Sequence, residues 1–251
     1  MKTLKLRPEN IHQGSLILVN ADWPVCEEPK AESLTPVECG ENAVLMERQS
    51  ARMLGKLLSV IGCGDRIVAV SGFRTHAEQQ AIYENSLEEN GAEFTRQYVA
   101  LPSRSEHQTG LAVDLAENAE AVDFLRPSFP YTGVCGRFRE KAPDYGFIER
   151  YPVGREAVTH IAHEPWHFRF VGYPHSKIIT NDGLTLEEYT EHIRAFEFDK
   201  KRFEFTDNGL RCEIGFIRPG SLTEIDIPPH MAYQLSGNNA DGVVVTLWGL
   251  R

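Results

Sequence analysis

An α+β fold with a small β-rich module at its C-terminal end is predicted by three features of the sequence. Up to about residue 178, capped runs with helical spacing interleave with short β-branched runs. After Tyr173-Pro174 the composition shifts, and beyond Phe196 the pattern turns β. The length of 251 residues suffices for one sizeable core, or for one core with a small appended module. The expected division is 1–178 and 179–251.

The elements follow in order. Ser15-Leu-Ile-Leu-Val-Asn20 is expected as a short buried strand, and Asp22-Trp-Pro onward to Pro36 as a loop. Thr35, Pro36 and Glu38 match a capping box with proline at the first helical position. Val44, Leu45, Met53, Leu54, Leu57, Leu58 and Ile61 then recur at helical spacing, and Gly62 and Gly64 stop that helix. Arg66 to Val70 is β-branched and reads as a strand. Thr75 and Glu78 form a second capping box, which opens a helix through Tyr83 and Leu87 and puts Arg74 at a strand-to-helix corner. Gln79 and Tyr83 share one face of it. Gly110 to Leu115 alternates as a strand that places Ala112 and Asp114 on one face. From Ala119 to Tyr145, helix and loop are mixed, with breaks at Pro127, Pro130 and Pro143. A strand starts near His167 and runs to Val171.

In the C-terminal part, Thr185 and Glu188 cap a short helix that ends near Phe196. Phe203–Thr206, the turn Asp207-Asn-Gly209 and Leu210–Ile217 form a hairpin signal. Further strands are expected near Ser221–Ile227, Met231–Ser236 and Val243–Trp248.

Composition narrows the function classes. Hydrophobic residues make up 41% and charged residues 25%, ordinary values for a soluble globular protein. The formal charge is 26 − 36 = −10, which disfavours nucleic acid and anionic membrane as partners. The first residues hold no apolar signal region, and no membrane anchor is read, so a cytoplasmic location is expected. The five cysteines are odd in number and none shows CxxC spacing, which suits buried free thiols in a reducing compartment.

Two segments carry chemistry. The first is Ser105-Glu-His107-Gln-Thr-Gly110-Leu-Ala-Val-Asp114, where an imidazole and a carboxylate, both good zinc donors, flank a glycine that lets backbones approach. An aspartate between Val113 and Leu115 is not demanded by β alternation. The second is His160-Ile-Ala-His163-Glu164-Pro-Trp-His167. It matches the HExxH pattern of helical zinc proteases. That pattern needs a helix, and Pro165 biases Glu164 away from helical angles. An ExxH reading therefore fits better, with Glu164 in a turn and His167 at the start of a strand, leaving His160 and His163 aside. Two histidines and one aspartate leave a fourth position for water, the ligand count of a catalytic zinc site. Glu164 is then the candidate general base.

At these residues the chain resembles the zinc D-alanyl-D-alanine peptidases of the VanY/VanX type. Their SxHxxGxAxD pattern stands as Ser105 to Asp114, and their ExxWH-like pattern as Glu164-Pro-Trp-His167. Ser71-Gly-Phe-Arg-Thr75 with Gln79 is similar to SGYRS-xxx-Q, and Leu16 to Asn20 to an LLVN segment; Phe73 and Thr75 depart from the usual tyrosine and serine. The resemblance covers about Leu16 to Tyr173. It implies an antiparallel sheet with flanking helices carrying a zinc site, as in hedgehog and D-Ala-D-Ala peptidase folds. It also implies zinc on His107, Asp114 and His167, Glu164 as base and proton shuttle, and Arg74 as oxyanion stabiliser. Gln79 and Ser105 would contact the terminal D-Ala, and Trp166 would wall the site. With no anchor in view, the chain looks like the cytoplasmic bifunctional VanXY type associated with glycopeptide resistance. The implied substrates are the D-Ala-D-Ala dipeptide and peptidoglycan precursors ending in D-Ala. The alternatives are a peptidase for another peptidoglycan bond and a non-catalytic zinc-stabilised binding module.

Overall fold

Segments rich in β-branched and aromatic residues pair as antiparallel strands, and capped runs with an apolar stripe form the helices packed on them. The structure is a computed structural model that describes residues 2–39, 42–220 and 222–249. The chain divides into two units, Val19–Thr185 and the combination of Met1–Leu18 with Leu186–Arg251. The structural division thus follows Thr185, against the 178/179 expected from sequence, and takes the first segment of the chain into the C-terminal unit.

That first segment carries β1 (Lys2–Leu6). In the unit Val19–Thr185, β2 (Leu34–Cys39) and β3 (Asn42–Glu47) form a two-stranded antiparallel sheet, with Thr35 opposite Met46 and Pro36 opposite Leu45. The capping box expected at Thr35–Glu38 is therefore corrected to a strand, and Val44 and Leu45 belong to β3. The helix α1 (Arg48–Ile61) begins later, capped by the Glu47 side chain, which accepts from the backbone N–H groups of Gln49 and Ser50. It ends at Gly62 in the left-handed conformation, as the sequence expects, and buries Ala51, Leu54, Leu57 and Leu58.

A four-stranded sheet follows in the order β4 (Ile67–Ser71), β5 (Ala112–Glu117), β7 (His167–Phe170) and β6 (Phe147–Glu149), with every neighbouring pair antiparallel. Between β4 and β5 runs α2 (His76–Tyr98), opened by the Thr75/Glu78 capping box and broken at Gly91. The helices α3 (Gly133–Lys141), α4 (Glu156–Thr159) and α5 (His175–Asn181) complete this unit. Phe138 of α3 packs edge-on against Phe129 and against Phe168 of β7, with centroids 5.6 and 4.8 Å apart. This cluster fixes the strand that carries His167.

The other unit holds α6 (Leu186–Ile193) and a sheet of β11 (Met231–Gly237), β12 (Val243–Gly249), β9 (Leu210–Ile217) and β8 (Phe203–Asp207), in that order. The β8–β9 hairpin turns at Asn208-Gly209, where the sequence signal lies. β10 (Thr223–Ile227) pairs instead with β1, from Lys2 opposite Ile227 to Leu6 opposite Thr223. The core gathers Leu6, Phe198, Ile225, Ile227, Val243, Val245 and Leu247. The expected strand at Ser15–Asn20 is a second correction. Leu16 and Leu18 are buried, but the backbone is held by single bonds, Leu16 N–H to Ser236 Oγ at 2.8 Å and Leu18 N–H to the Asn238 carbonyl at 3.1 Å. Apolar content drives burial without demanding a ladder.

All five cysteines are free, and only Cys26 is exposed. Among the described residues no helix is long and apolar enough to cross a membrane.

Candidate metal centre

Antiparallel register brings the two sequence segments together. Asp114 on β5 lies directly opposite His167 on β7, and a shift between Ala69 and Ser71 puts Asp114 beside the end of β4. His107 sits in a 3-10 turn over Glu106–Thr109, which ends at Gly110 with φ of 71°. A Cβ on Gly110 would stand 2.9 Å from the Glu47 backbone nitrogen, so the close approach foreseen in the sequence is to the segment leading into α1.

The side chains of His107, Asp114 and His167 are buried, and one donor atom from each lies within 4.8 Å of the others. Asp114 Oδ2 is 3.1 Å from His107 Nε2, and Asp114 Oδ1 is 2.9 Å from His167 Nδ1. The outward ring nitrogens are also engaged. His107 Nδ1 is 2.7 Å from the Gly72 carbonyl, and since a carbonyl only accepts, that nitrogen carries the proton and Nε2 is the donor left for a cation. His167 Nε2 faces Glu106 Oε2 at 3.4 Å, leaving Nδ1 on the inner side. A carboxylate behind a metal-facing imidazole is the usual way to orient such a ligand.

Glu106 did not emerge from the sequence. It is fully buried and pairs with Arg150 Nε at 2.7 Å and with Arg169 Nη1 at 2.8 Å. The signal available was Arg169, a cation at a position inside the otherwise apolar strand Phe168-Arg-Phe170. Such a charge is retained only when paired. Tyr151, also unforeseen, lies 4.9 Å from the His167 ring and lines the cleft.

Electrostatics sort these groups. Burial pushes the His107 imidazole down to about 4, helped by the Arg74 charge, so it stays neutral and free to donate. Burial would raise Asp114, but the facing His107 and His167 outweigh it and hold the carboxyl well below its ordinary range. For His167, burial pulls downward, but hydrogen bonds to Asp114 and Glu106 win and lift it to about 9. A cation among these donors would take the place of that proton. Glu106 is likewise held low, since Arg150 and Arg169 outweigh its burial. Glu164 is pushed up to about 8, chiefly by burial, with Oε2 at 3.8 Å from His167 Nδ1.

The remaining expected residues line the same cleft. Arg74 follows β4, with Nη2 at 3.9 Å from Asp114 Oδ2, while its buried Nε has no hydrogen-bond partner. Gln79 is buried in the first turns of α2 and donates through Nε2 to the Ala100 carbonyl at 2.7 Å. Ser105 and Trp166 are buried beside them. His163 lies apart, 2.8 Å from the Tyr131 hydroxyl and 3.3 Å from Glu149, and is not in the donor cluster.

Two imidazoles and one carboxylate, with an acid alongside and an open cleft, are a candidate donor set of the kind found in catalytic single-metal centres, and their chemistry fits zinc. The family model for VanY, D-alanyl-D-alanine carboxypeptidase, matches residues 46–173. The bifunctional D-Ala-D-Ala dipeptidase and D-Ala-D-Ala carboxypeptidase VanXYC of Enterococcus gallinarum is 38% identical over 181 residues, covering 72% of this chain and 95% of that protein. The crystal structure of the vancomycin resistance D,D-dipeptidase VanXYg, with a D-Ala-D-Ala phosphinate analog, is 47% identical and superposes with a TM-score of 0.93 over 98% of both chains. A vancomycin resistance D,D-pentapeptidase VanY mutant from a VanB-type cassette, in complex with Zn(II), is 29% identical with a TM-score of 0.54, over 70% of this chain and 98% of that one. The chain belongs to the VanY family of D-alanyl-D-alanine carboxypeptidases.

Proposed function

We propose that this chain is a zinc-dependent D,D-dipeptidase and D,D-carboxypeptidase of vancomycin resistance. It would cleave the D-Ala-D-Ala dipeptide and remove the terminal D-Ala of peptidoglycan precursors. The carrying observation is the buried His107–Asp114–His167 donor set with the Glu164 carboxyl 3.8 Å from one of its imidazoles. The relatives named above act on or bind D-Ala-D-Ala compounds. The five free cysteines support a reducing, cytoplasmic setting.

His107, Asp114 and His167 hold the zinc, which when bound supplies Lewis acidity for the scissile carbonyl and acidifies water. Glu164 takes a proton from the attacking water and returns it to the leaving amine. A carboxyl whose pKa burial has moved toward neutrality suits both halves of that transfer. Arg74 offers a fixed positive charge to the oxyanion as it develops. Gln79 and Ser105 hold the terminal D-Ala, and Trp166 keeps bulk water from the cleft. Glu106 positions His167 and does not touch substrate. A non-catalytic zinc module would have no use for an acid buried at such cost beside the donors.

The test is metal analysis of the purified protein together with D-Ala release. One zinc per chain is expected, with turnover of both the dipeptide and the pentapeptide precursor. A zinc-loaded protein that releases D-Ala from neither overturns the reading.

A further inference from the structure

A second groove lies beside the catalytic cleft and is absorbed by none of the roles above. It has a volume of about 900 Å³, in the range of small-molecule sites. It shares Val99, Ala100, Tyr151 and Ile161 with the cleft, so the two are separated by one common wall.

Two arginines line it. Arg96 stands on the part of α2 beyond Gly91, whose φ of 81° and ψ of 167° break the helix and redirect its last turns. Arg104 follows Ser103, a non-glycine residue held at φ of 64°. Backbone in a sparsely populated region persists where its surroundings over-determine it, and such positions concentrate at functional sites. Among the described residues neither guanidinium has an ion-pair partner; Arg96 is exposed to water, whereas Arg104 is half-buried and its Nη1 is buried without a hydrogen bond. The one acid in the lining, Glu156, accepts from the Gly154 N–H of its own turn at 3.2 Å. The buried Arg104 nitrogen lacks the partner such a group normally finds, and with a second, exposed guanidinium in the same concavity of a chain of formal charge −10 it suits an anionic ligand.

We infer that this groove is an anion-binding subsite that takes a carboxylate or phosphate group, with Arg104 as principal and Arg96 as secondary recognition residue. Guanidinium forks suit both anions. The ligand is either an anionic part of a larger substrate or a separate small anion, and the two sources give different kinetics.

Sulfate serves as a probe that chelates zinc poorly. Calorimetric titration of the zinc-loaded protein with sulfate should show binding that Arg104→Gln weakens about tenfold, the loss of one charge-assisted hydrogen-bonding group. Arg96→Gln should weaken it less. D-Ala-D-Ala turnover should stay within about twofold in both variants, which shows that the cleft is intact. Sulfate affinity unchanged in both variants overturns the inference, as does the absence of sulfate binding to the unmodified protein. Pentapeptides with and without a linked nucleotide identify the source. A rise in KM in the variants for the nucleotide-linked form alone assigns a phosphate. A rise for both assigns a stem-peptide carboxylate, and a rise for neither assigns a separate anion. The sulfate titration needs no turnover, so its failure is distinguishable from failure of the peptidase reading.

Discussion

The two units bury very different things. In the unit Val19–Thr185, Glu106, His107, Asp114, Arg150, Glu164, His167, Arg169 and His175 are all buried. In the other unit, the buried polar residues among those described are uncharged: Ser15, Thr190, Ser236, Asn238, Asn239 and Thr246. Its core is an ordinary apolar cluster around Val243, Val245 and Leu247. Burying charge costs several kcal/mol per ion unless partners repay it. One unit therefore carries the chemistry at the expense of its own stability, while the other gains from burial alone.

The sharpest way to break this contrast is at Glu164. Glu164→Gln should lower kcat by about 10²–10⁴-fold with zinc retained, the range for loss of a general acid–base group. Single-turnover D-Ala release beside metal analysis checks it. Next is Glu106→Ala, which strands Arg150 and Arg169 in the interior. It should cost about 3–5 kcal/mol of stability in urea, and zinc affinity should fall about 10–100-fold as His167 loses its orienting partner. Leu247→Ala should also destabilise, by about 2–5 kcal/mol, yet kcat of the folded protein should not change. Reduced kcat there would erase the distinction between the units.

A smaller effect concerns pH. Burial holds His175 down at about 3 against an ordinary 6.5, so the folded protein keeps the imidazole neutral. The unfolded chain binds the proton first. Stability from this group is full above pH 6.5 and falls as pH drops from 6.5 toward 3, by up to about 1.4 kcal/mol per pH unit. Comparing His175→Phe with the unmodified protein in urea across that window should show a flatter acid limb. The smallest effect expected is at His163, where Ala should leave zinc content unchanged, because its ring faces Tyr131 and Glu149.

Local signals proved reliable where a capping box or turn had no competitor. Thr75 and Glu78 open α2, and Asn208-Gly209 turns β8 into β9. At Thr35–Glu38 the same pattern of residues is a strand, because Val37 and Cys39 find burial in a hairpin with β3. A capping box is a local possibility, and cross-strand pairing decided against it. Within the site, the ExxH reading rested on Pro165, which restricts backbone angles wherever it occurs, while His107 and Asp114 stood out as donor residue types within one short segment. Glu106 was not legible, since a glutamate beside a histidine in a polar segment gives no sign of which way it points. Only the fold places Arg150 and Arg169 against it.

By itself, the sequence determined the elements bounded by strong local chemistry, and it marked His107, Asp114 and His167, ahead of His163, as the candidate donors that the fold gathers into one buried cluster. Tertiary structure decided which groups meet. Asp114 faces His167 through strand register, Glu106 orients that imidazole across the unit, and β1 joins β10 from the far end of the chain. The physical reason is one of range. Capping, turn and proline preferences act within a few residues, whereas register and charge pairing depend on surfaces that exist only after the chain has closed.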